Sequence, residues 1–155
     1  MDLAKNLKID SVSRLPLAPP LQVAAGQPIA DAVRLMRQER VGCVLVCDGD
    51  RLVGIFTERD LMRRVVAEGK PLTGPVAECM TPDPVTVHPK TSIGAAVRRM
   101  EEGGYRHLPV VNEAGRPVNV LSVKHIVHYL VEHFPAAVYN LPPDPGMVPH
   151  EPEGA

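Results

Sequence analysis

Apolar residues recur at helical spacing from Ile29 to Glu39, with Ile29, Val33 and Met36 on one face. The same stripe returns in Ile93, Val97 and Met100. This spacing predicts two amphipathic helices, each burying one side. Pro28 and Ser92 stand where a first helical turn or a cap would lie. Each stripe is followed by a run typical of a buried strand, Cys43 to Cys47 and His107 to Val111. Tight turns follow at Asp48-Gly49-Asp50 and at Asn112-Glu113-Ala114-Gly115. Second strands, Arg51 to Phe56 and Pro117 to Leu121, then run into GIFTERDL (54–61) and NVLSVKHI (119–126). A helix is expected after each. Short extended pieces, Leu21 to Val23 and Val85 to Val87, precede the whole pattern.

The pattern is an internal repeat. Setting VAAGQPIADAVRLM against VHPKTSIGAAVRRM matches Ile29, Ala32, Val33, Arg34 and Met36 with Ile93, Ala96, Val97, Arg98 and Met100. One extra residue near Gly115 moves the offset from 64 to 65, after which Arg51 and Val53 meet Arg116 and Val118. The fold class is therefore mixed α/β (α+β), with β-α-β-β-α written twice. The last helices are apolar over more than one stripe: Leu61, Met62, Val65 and Val66 in one, Ile126, Val127, Leu130 and Val131 in the other. One sheet needs only one apolar face. The surplus points to packing on each other or on another subunit, with full burial inside one chain as the alternative. Residues 69 to 83, rich in Pro and Gly, form a linker with a short helical turn near Val76 to Met80. From Pro135 onward the chain is Pro-rich and expected to be extended and partly disordered, although Val138, Tyr139 and Leu141 offer a docked start.

Composition narrows the chemistry. With 155 residues, 45% hydrophobic and only 3% aromatic, the core must be filled by Val, Leu, Ile and Ala. A formal charge of −1 creates no field for nucleic acid or anionic lipid, so any anion site is local. No apolar run approaches a membrane span, and MDLAKNLKID lacks the apolar stretch of a signal peptide. Cys43, Cys47 and Cys79 fit neither a disulfide framework nor a zinc ribbon. A soluble, reduced, cytoplasmic protein is expected.

The helix starts carry the candidate site. Thr57 suits an N-cap, and Asp60 falls at the third helical position, as in a capping box with a shorter acid. Local sequence alone is equally satisfied by pure capping. In the second copy Ser122 keeps the cap, but Lys124 and His125 bring bases to a first turn where the helix dipole disfavours positive charge by roughly 0.3–1 kcal/mol. Bases suit that place if an anion lies beside the helix start. Arg106 and His107 add two further cations near strand-to-helix ends on the same edge. A carboxylate in one half and a basic cluster in the other suit a ligand with a polyol at one end and phosphate at the other. A nucleotide fits.

GIFTERD resembles the Gly-hydrophobic-x-Thr-x-x-Asp signature of cystathionine-beta-synthase-type (CBS) domains, and CMTPDPVTV and YRHLPVVNEAGRPVNVLS resemble the second domain of a tandem pair. The resemblance runs from about Ile9 to Phe134. It implies two domains, 9–68 and 85–134, joined by a 69–84 linker and followed by a 135–155 tail. It also implies pairing through their sheets into one pseudo-two-fold (Bateman) module that commonly dimerises. Adenosine ligands bind between such domains. By that resemblance Asp60 takes the ribose hydroxyls, with Thr57 beside it. Backbone around Gly42, Cys43 and Val44 meets the adenine edge. Arg106 and His107 reach phosphate, assisted by Lys124 and His125. The second copy has Asn119 and His125 where the signature has Gly and Asp, so one nucleotide site is expected, not two.

Other classes have weaker support. No Ser-His-Asp set, phosphate loop or nucleophile elbow suggests an enzyme, and Cys43 lies in an apolar strand. His125 and His128 lie three apart without a carboxylate or Cys beside them, so no metal is expected. Arg34, Arg37, Arg40, Arg98 and Arg99 alternate with acids, as on a solvated face, so nucleic acid is not expected. The expectation is a regulatory module that binds AMP, or ADP, ATP or another adenosine derivative, with no required cofactor. Its partners would be a second copy and a separate effector protein. The main alternative is a structural dimerisation or docking module without nucleotide.

Overall fold

The structure, a computed structural model, describes residues 2–139. It comprises helices α1 (Leu3–Ile9), α2 (Ile29–Glu39), α3 (Glu58–Asp60), α4 (Ile93–Gly103), α5 (Val123–His133) and α6 (Pro135–Tyr139). The strands are β1 (Gln22–Ala24), β2 (Cys43–Asp48), β3 (Arg51–Thr57), β4 (Thr81–Pro82), β5 (His107–Val111) and β6 (Pro117–Ser122). The expected mixed α/β repeat is present in both halves. β1 to β4 form one sheet in that order, with β1 parallel to β2 and the other neighbours antiparallel. β5 and β6 pair antiparallel, and a parallel bridge from Val87 to Val110 stands where Val23 pairs with Val46 in the first sheet.

The helical stripes are buried much as their spacing predicts. Ile29, Ala32 and Met36 enter one core, and Ile93, Ala96 and Met100 enter the other. Val33 and Val97 stay at the margin of those cores, with the small alanines taking the centre. A third cluster, Cys43, Leu45, Cys47 and Ile55, lies on the opposite face of β2 and β3, and Val120 of β6 packs against it. This contact joins the two sheets.

Chain order and packing do not coincide. Val12 and Leu15 are buried in the second repeat's core, whereas Val76 and Cys79 are buried in the first repeat's core. The backbone repeats the exchange: Ile93 N–H bonds to Asp10 O, as Ile29 N–H bonds to Gly74 O. Bridges Ser11–Ser92 and Pro28–Pro75 obey the same 64-residue shift. The repeat thus begins near residue 10, with a segment that docks away from the β2 or β5 strand nearest to it in sequence. The helical turn expected in the linker is a single 3₁₀ turn, Val76–Glu78.

After α3 the chain widens into a π-helical stretch, Leu61–Val66, where Ala67 N–H reaches Met62 O and Lys70 N–H reaches Val65 O. The second repeat has the regular α5 instead. On these helices only Val65, Ile126 and Tyr129 are buried. Met62, Val66 and Val127 are 60%, 68% and 51% exposed, so the apolar surplus is not absorbed among the described residues. The start of the tail is helical, not extended: α6 follows the buried Phe134, whose carbonyl accepts from Ala137 and Val138 N–H. The remainder of the Pro-rich segment lies outside the described residues. Among the described residues no helix is long and apolar enough to cross a membrane.

Candidate functional site

The two repeats enclose a cleft of about 920 Å³, within the size range of small-molecule sites. Its walls are the turns leading into β2 and β5, the starts of α3 and α5, and the Ala18–Leu21 and Thr81–Val85 segments. Gly42, Cys43, Thr57, Asp60, Arg106, His107, Lys124 and His125 all line it, so residues of both halves meet in one space. Val44, expected with them, does not. It is fully buried in the first repeat's core, because side chains alternate across β2 and its neighbour Cys43 takes the cleft side.

Thr57 and Asp60 form the expected capping box. Asp60 N–H donates to Thr57 Oγ1 at 3.2 Å, and Asp60 Oδ2 accepts from Thr57 N–H at 3.0 Å and from Thr57 Oγ1 at 3.1 Å. Oδ1 accepts from Thr81 Oγ1 at 3.1 Å and lies 3.5 Å from Arg64 Nε. A carboxylate offers about four acceptor positions. Three are filled by hydrogen bonds, and the loose Arg64 contact holds the fourth. Thr81, a linker residue, was not among the candidates. It reaches Asp60 because β4 pairs with Gly54 and Ile55. Gly54 allows that approach: a Cβ there would lie 2.3 Å from Met80 Sδ. Asn119, its counterpart, instead donates to the carbonyls of Leu17 and Ala18 at 3.3 and 2.9 Å.

At the second helix start, Ser122 N–H donates to His125 Nδ1 at 3.0 Å. A backbone N–H can only donate, so Nδ1 is an acceptor, the proton sits on Nε2, and the ring is neutral. Burial, followed by the nearby His128, pushes its pKa down, in agreement. His125 thus performs the capping task of Asp60 with a ring nitrogen. The expectation of a cation at 125 is corrected: the position supplies an Nε2–H donor, and the helix dipole opposes any further charge.

His107 lies across the backbone of Gly42, where an added Cβ would meet ring atoms at 3.2 and 3.3 Å. A side chain at Gly42 would therefore press on the His107 ring of the other repeat. The His107 pKa is lowered by burial and by Lys124, Arg106 and His125, against the opposing influence of Glu58. Cys43 is a thiol held protonated, its pKa pushed up to about 12 by burial and then by Glu58, the opposite of what a nucleophile needs. Arg59 Nη1 donates to Gly104 O at 2.9 Å, a direct link between the repeats. The lining holds six Lys or Arg residues (Arg40, Arg59, Arg63, Arg64, Arg106, Lys124) against three acids (Glu58, Asp60, Asp83). In a chain of net charge −1, this concentration of cations marks an anion-attracting space. Arg40, Arg59, Arg63 and Arg64 line the cleft without being among the candidates, although Arg40 is expected from the sequence on a solvated face.

The sequence model described as CBS domain matches residues 12–67 and 76–132. The chain belongs to the CBS domain family. This CBS pair is 33% identical over 123 residues to the CBS domain-containing protein CBSCBSPB3 of Arabidopsis thaliana, covering 77% of this chain and 22% of that protein. It therefore spans about a fifth of the length of that relative. Among solved structures, a conserved protein from Pyrococcus horikoshii superposes with a TM-score of 0.73 at 27% identity, over 83% of this chain and 94% of that one. A CBS domain protein from Pyrobaculum aerophilum, complexed with AMP, gives a TM-score of 0.71 at 27% identity, covering 79% of this chain and 99% of that one. The structural neighbours are CBS pair modules, in keeping with the fold class expected from the repeat.

Proposed function

We propose that this CBS pair is a regulatory module acting in the cytoplasm, that its cleft binds an adenine nucleotide, AMP or a relative, and that it performs no catalysis. The observation that carries the reading is the composition of the cleft. Thr57 and Asp60, with one loosely held acceptor position, stand on one side, and Arg106, Lys124 and the neutral His107 and His125 stand on the other. The AMP complex of the similar Pyrobaculum protein supports it. Asp60 would accept from a ribose hydroxyl, displacing Arg64. The base would lie along Gly42 and Cys43, and the phosphate among the cations. Because the second repeat has His125 where the first has Asp60, one ribose site is proposed.

Regulation follows from differential binding. A ligand filling the cleft touches both repeats and competes for groups that link them, Arg59 on Gly104 among them. Its binding energy thus reports on how the halves pack. The exposed apolar side chains of Met62, Val66 and Val127 offer surface suited to a second copy. A separate effector protein would receive the signal. Calorimetric titration with AMP, ADP, ATP, NAD and S-adenosylmethionine tests the reading. At least one should bind, and Asp60→Ala should weaken adenosine itself. Absence of heat and of any thermal shift across the panel overturns it.

A further inference from the structure

The two first helices end in the same left-handed turn but with different residues. Gly104 caps α4 at φ 66°, ψ 28°, whereas Arg40 caps α2 at φ 55°, ψ 44°. Glycine is the usual occupant of such a cap because it has no Cβ to clash. A non-glycine residue with positive φ is uncommon and, at a ligand cleft, is a reason to ask what its side chain does. Packing is not the answer: Arg40 is exposed, and among the described residues its guanidinium makes no hydrogen bond or ion pair. It lines the cleft two residues before Gly42, where an added Cβ would meet the His107 ring.

The pseudo-two-fold adds a second observation. Arg59 bonds to the carbonyl of Gly104. The repeat counterparts of these two residues are Lys124 and Arg40. At the equivalent positions of that side the chain carries two cations, both of which line the cleft. Lys124 lines the cleft and bears on His107, and the acid at this corner is Glu58, whose N–H bonds to Gly42 O. We infer that Arg40 is a phosphate-binding residue of the cleft, and that with Lys124 and His107 it holds the anionic end of the nucleotide. The inference rests on the nucleotide reading above. It explains why the first repeat keeps a strained arginine at a place where the second repeat has glycine.

The test is Arg40→Gly, which copies Gly104, with Arg40→Lys beside it. Removing a left-handed arginine should leave the thermal midpoint unchanged or raise it by about 2–4 °C. Loss of one charge-assisted hydrogen bond should weaken AMP binding about tenfold, measured by calorimetry, with adenosine binding within about twofold of the parent. Arg40→Lys should retain part of the AMP affinity. If Arg40→Gly binds AMP as tightly as the parent, or loses AMP and adenosine equally, the inference fails. If the parent protein binds neither, the nucleotide reading itself fails.

Discussion

His125→Asp is the sharpest test of how the second helix start works. In the parent protein the ring nitrogen Nδ1 accepts from Ser122 N–H at 3.0 Å, with Ser122 Oγ also 3.0 Å away. Asp60 shows that an aspartate at the equivalent place can reach the same backbone group, Thr57 N–H, at 3.0 Å. The replacement therefore keeps the capping hydrogen bond and adds a negative charge in the first helical turn, worth about 0.3–1 kcal/mol at an exposed site. For a chain of this size that is a rise of about 1–4 °C in thermal midpoint at pH 7. The pH dependence should change as well. The folded pKa of His125 is depressed by burial and His128, so its unfolded state binds the proton more readily. Stability from this group is then complete above the unfolded histidine pKa, about 6.5, and is lost as the pH falls toward the depressed folded value. In the parent, protonation also removes the acceptor for Ser122 N–H. Thermal unfolding from pH 8 to 5 should show the parent declining below about pH 6.5 and the aspartate variant declining less. His107 contributes with the same sign in the parent, and because His125 is one of the groups that lower its pKa, the aspartate weakens that contribution too, in the same direction as the expected change. A variant less stable than the parent at pH 7, or two parallel pH profiles, refutes the neutral capping ring.

Binding should be proton-linked through His107. Burial and the neighbouring cations favour its neutral form, a neighbouring phosphate favours the imidazolium, and AMP affinity should therefore rise as pH falls from 8 to 6. Calorimetry in buffers of different ionisation enthalpy should show proton uptake that His107→Gln abolishes. Arg106→Ala should weaken AMP more than adenosine; an equal loss in both means that Arg106 does not touch phosphate. Val66→Glu, at a position 68% exposed, should shift light-scattering mass from dimer toward monomer without lowering the thermal midpoint measured at low protein concentration. An unchanged mass places any interface elsewhere.

Much of the architecture is visible in the chain because apolar spacing reports which side chains are buried. Ile29 and Met36, and their counterparts Ile93 and Met100, fill cores in the structure. Spacing does not report the partner. Val12 and Val76 are buried in opposite repeats from those their order suggests, and only faint likeness between residues 11–23 and 75–87, such as Val12 with Val76 and Pro20 with Pro84, shows that they are equivalent. Nothing in Leu61 to Val66 distinguishes a π-helical stretch from a regular turn. The exposed apolar face there follows from backbone geometry as much as from composition.

The candidate site shows the same division between residue type and state. The meeting of Thr57 and Asp60 with Arg106, His107 and Lys124 follows from aligning the repeat, since equivalent strand and helix ends converge on one cleft. The role of His125 does not, because a histidine's charge depends on which atoms surround its ring. One hydrogen bond from Ser122 turns an expected cation into a neutral acceptor. Arg40 is the converse case. Its left-handed backbone is invisible in the sequence around it, yet its alignment with Gly104 already marks it as the copy that departs from the favoured residue. Pseudo-symmetry is thus most informative where it fails. Positions that match, such as the two caps, Thr57 and Ser122, are explained by what any helix start requires. Three pairs that differ, Asp60 and His125, Gly54 and Asn119, Arg40 and Gly104, lie on the cleft or on the strands that wall it. Unlike residues at these equivalent places are what the proposed nucleotide, with a sugar at one end and phosphate at the other, would require of a two-fold scaffold.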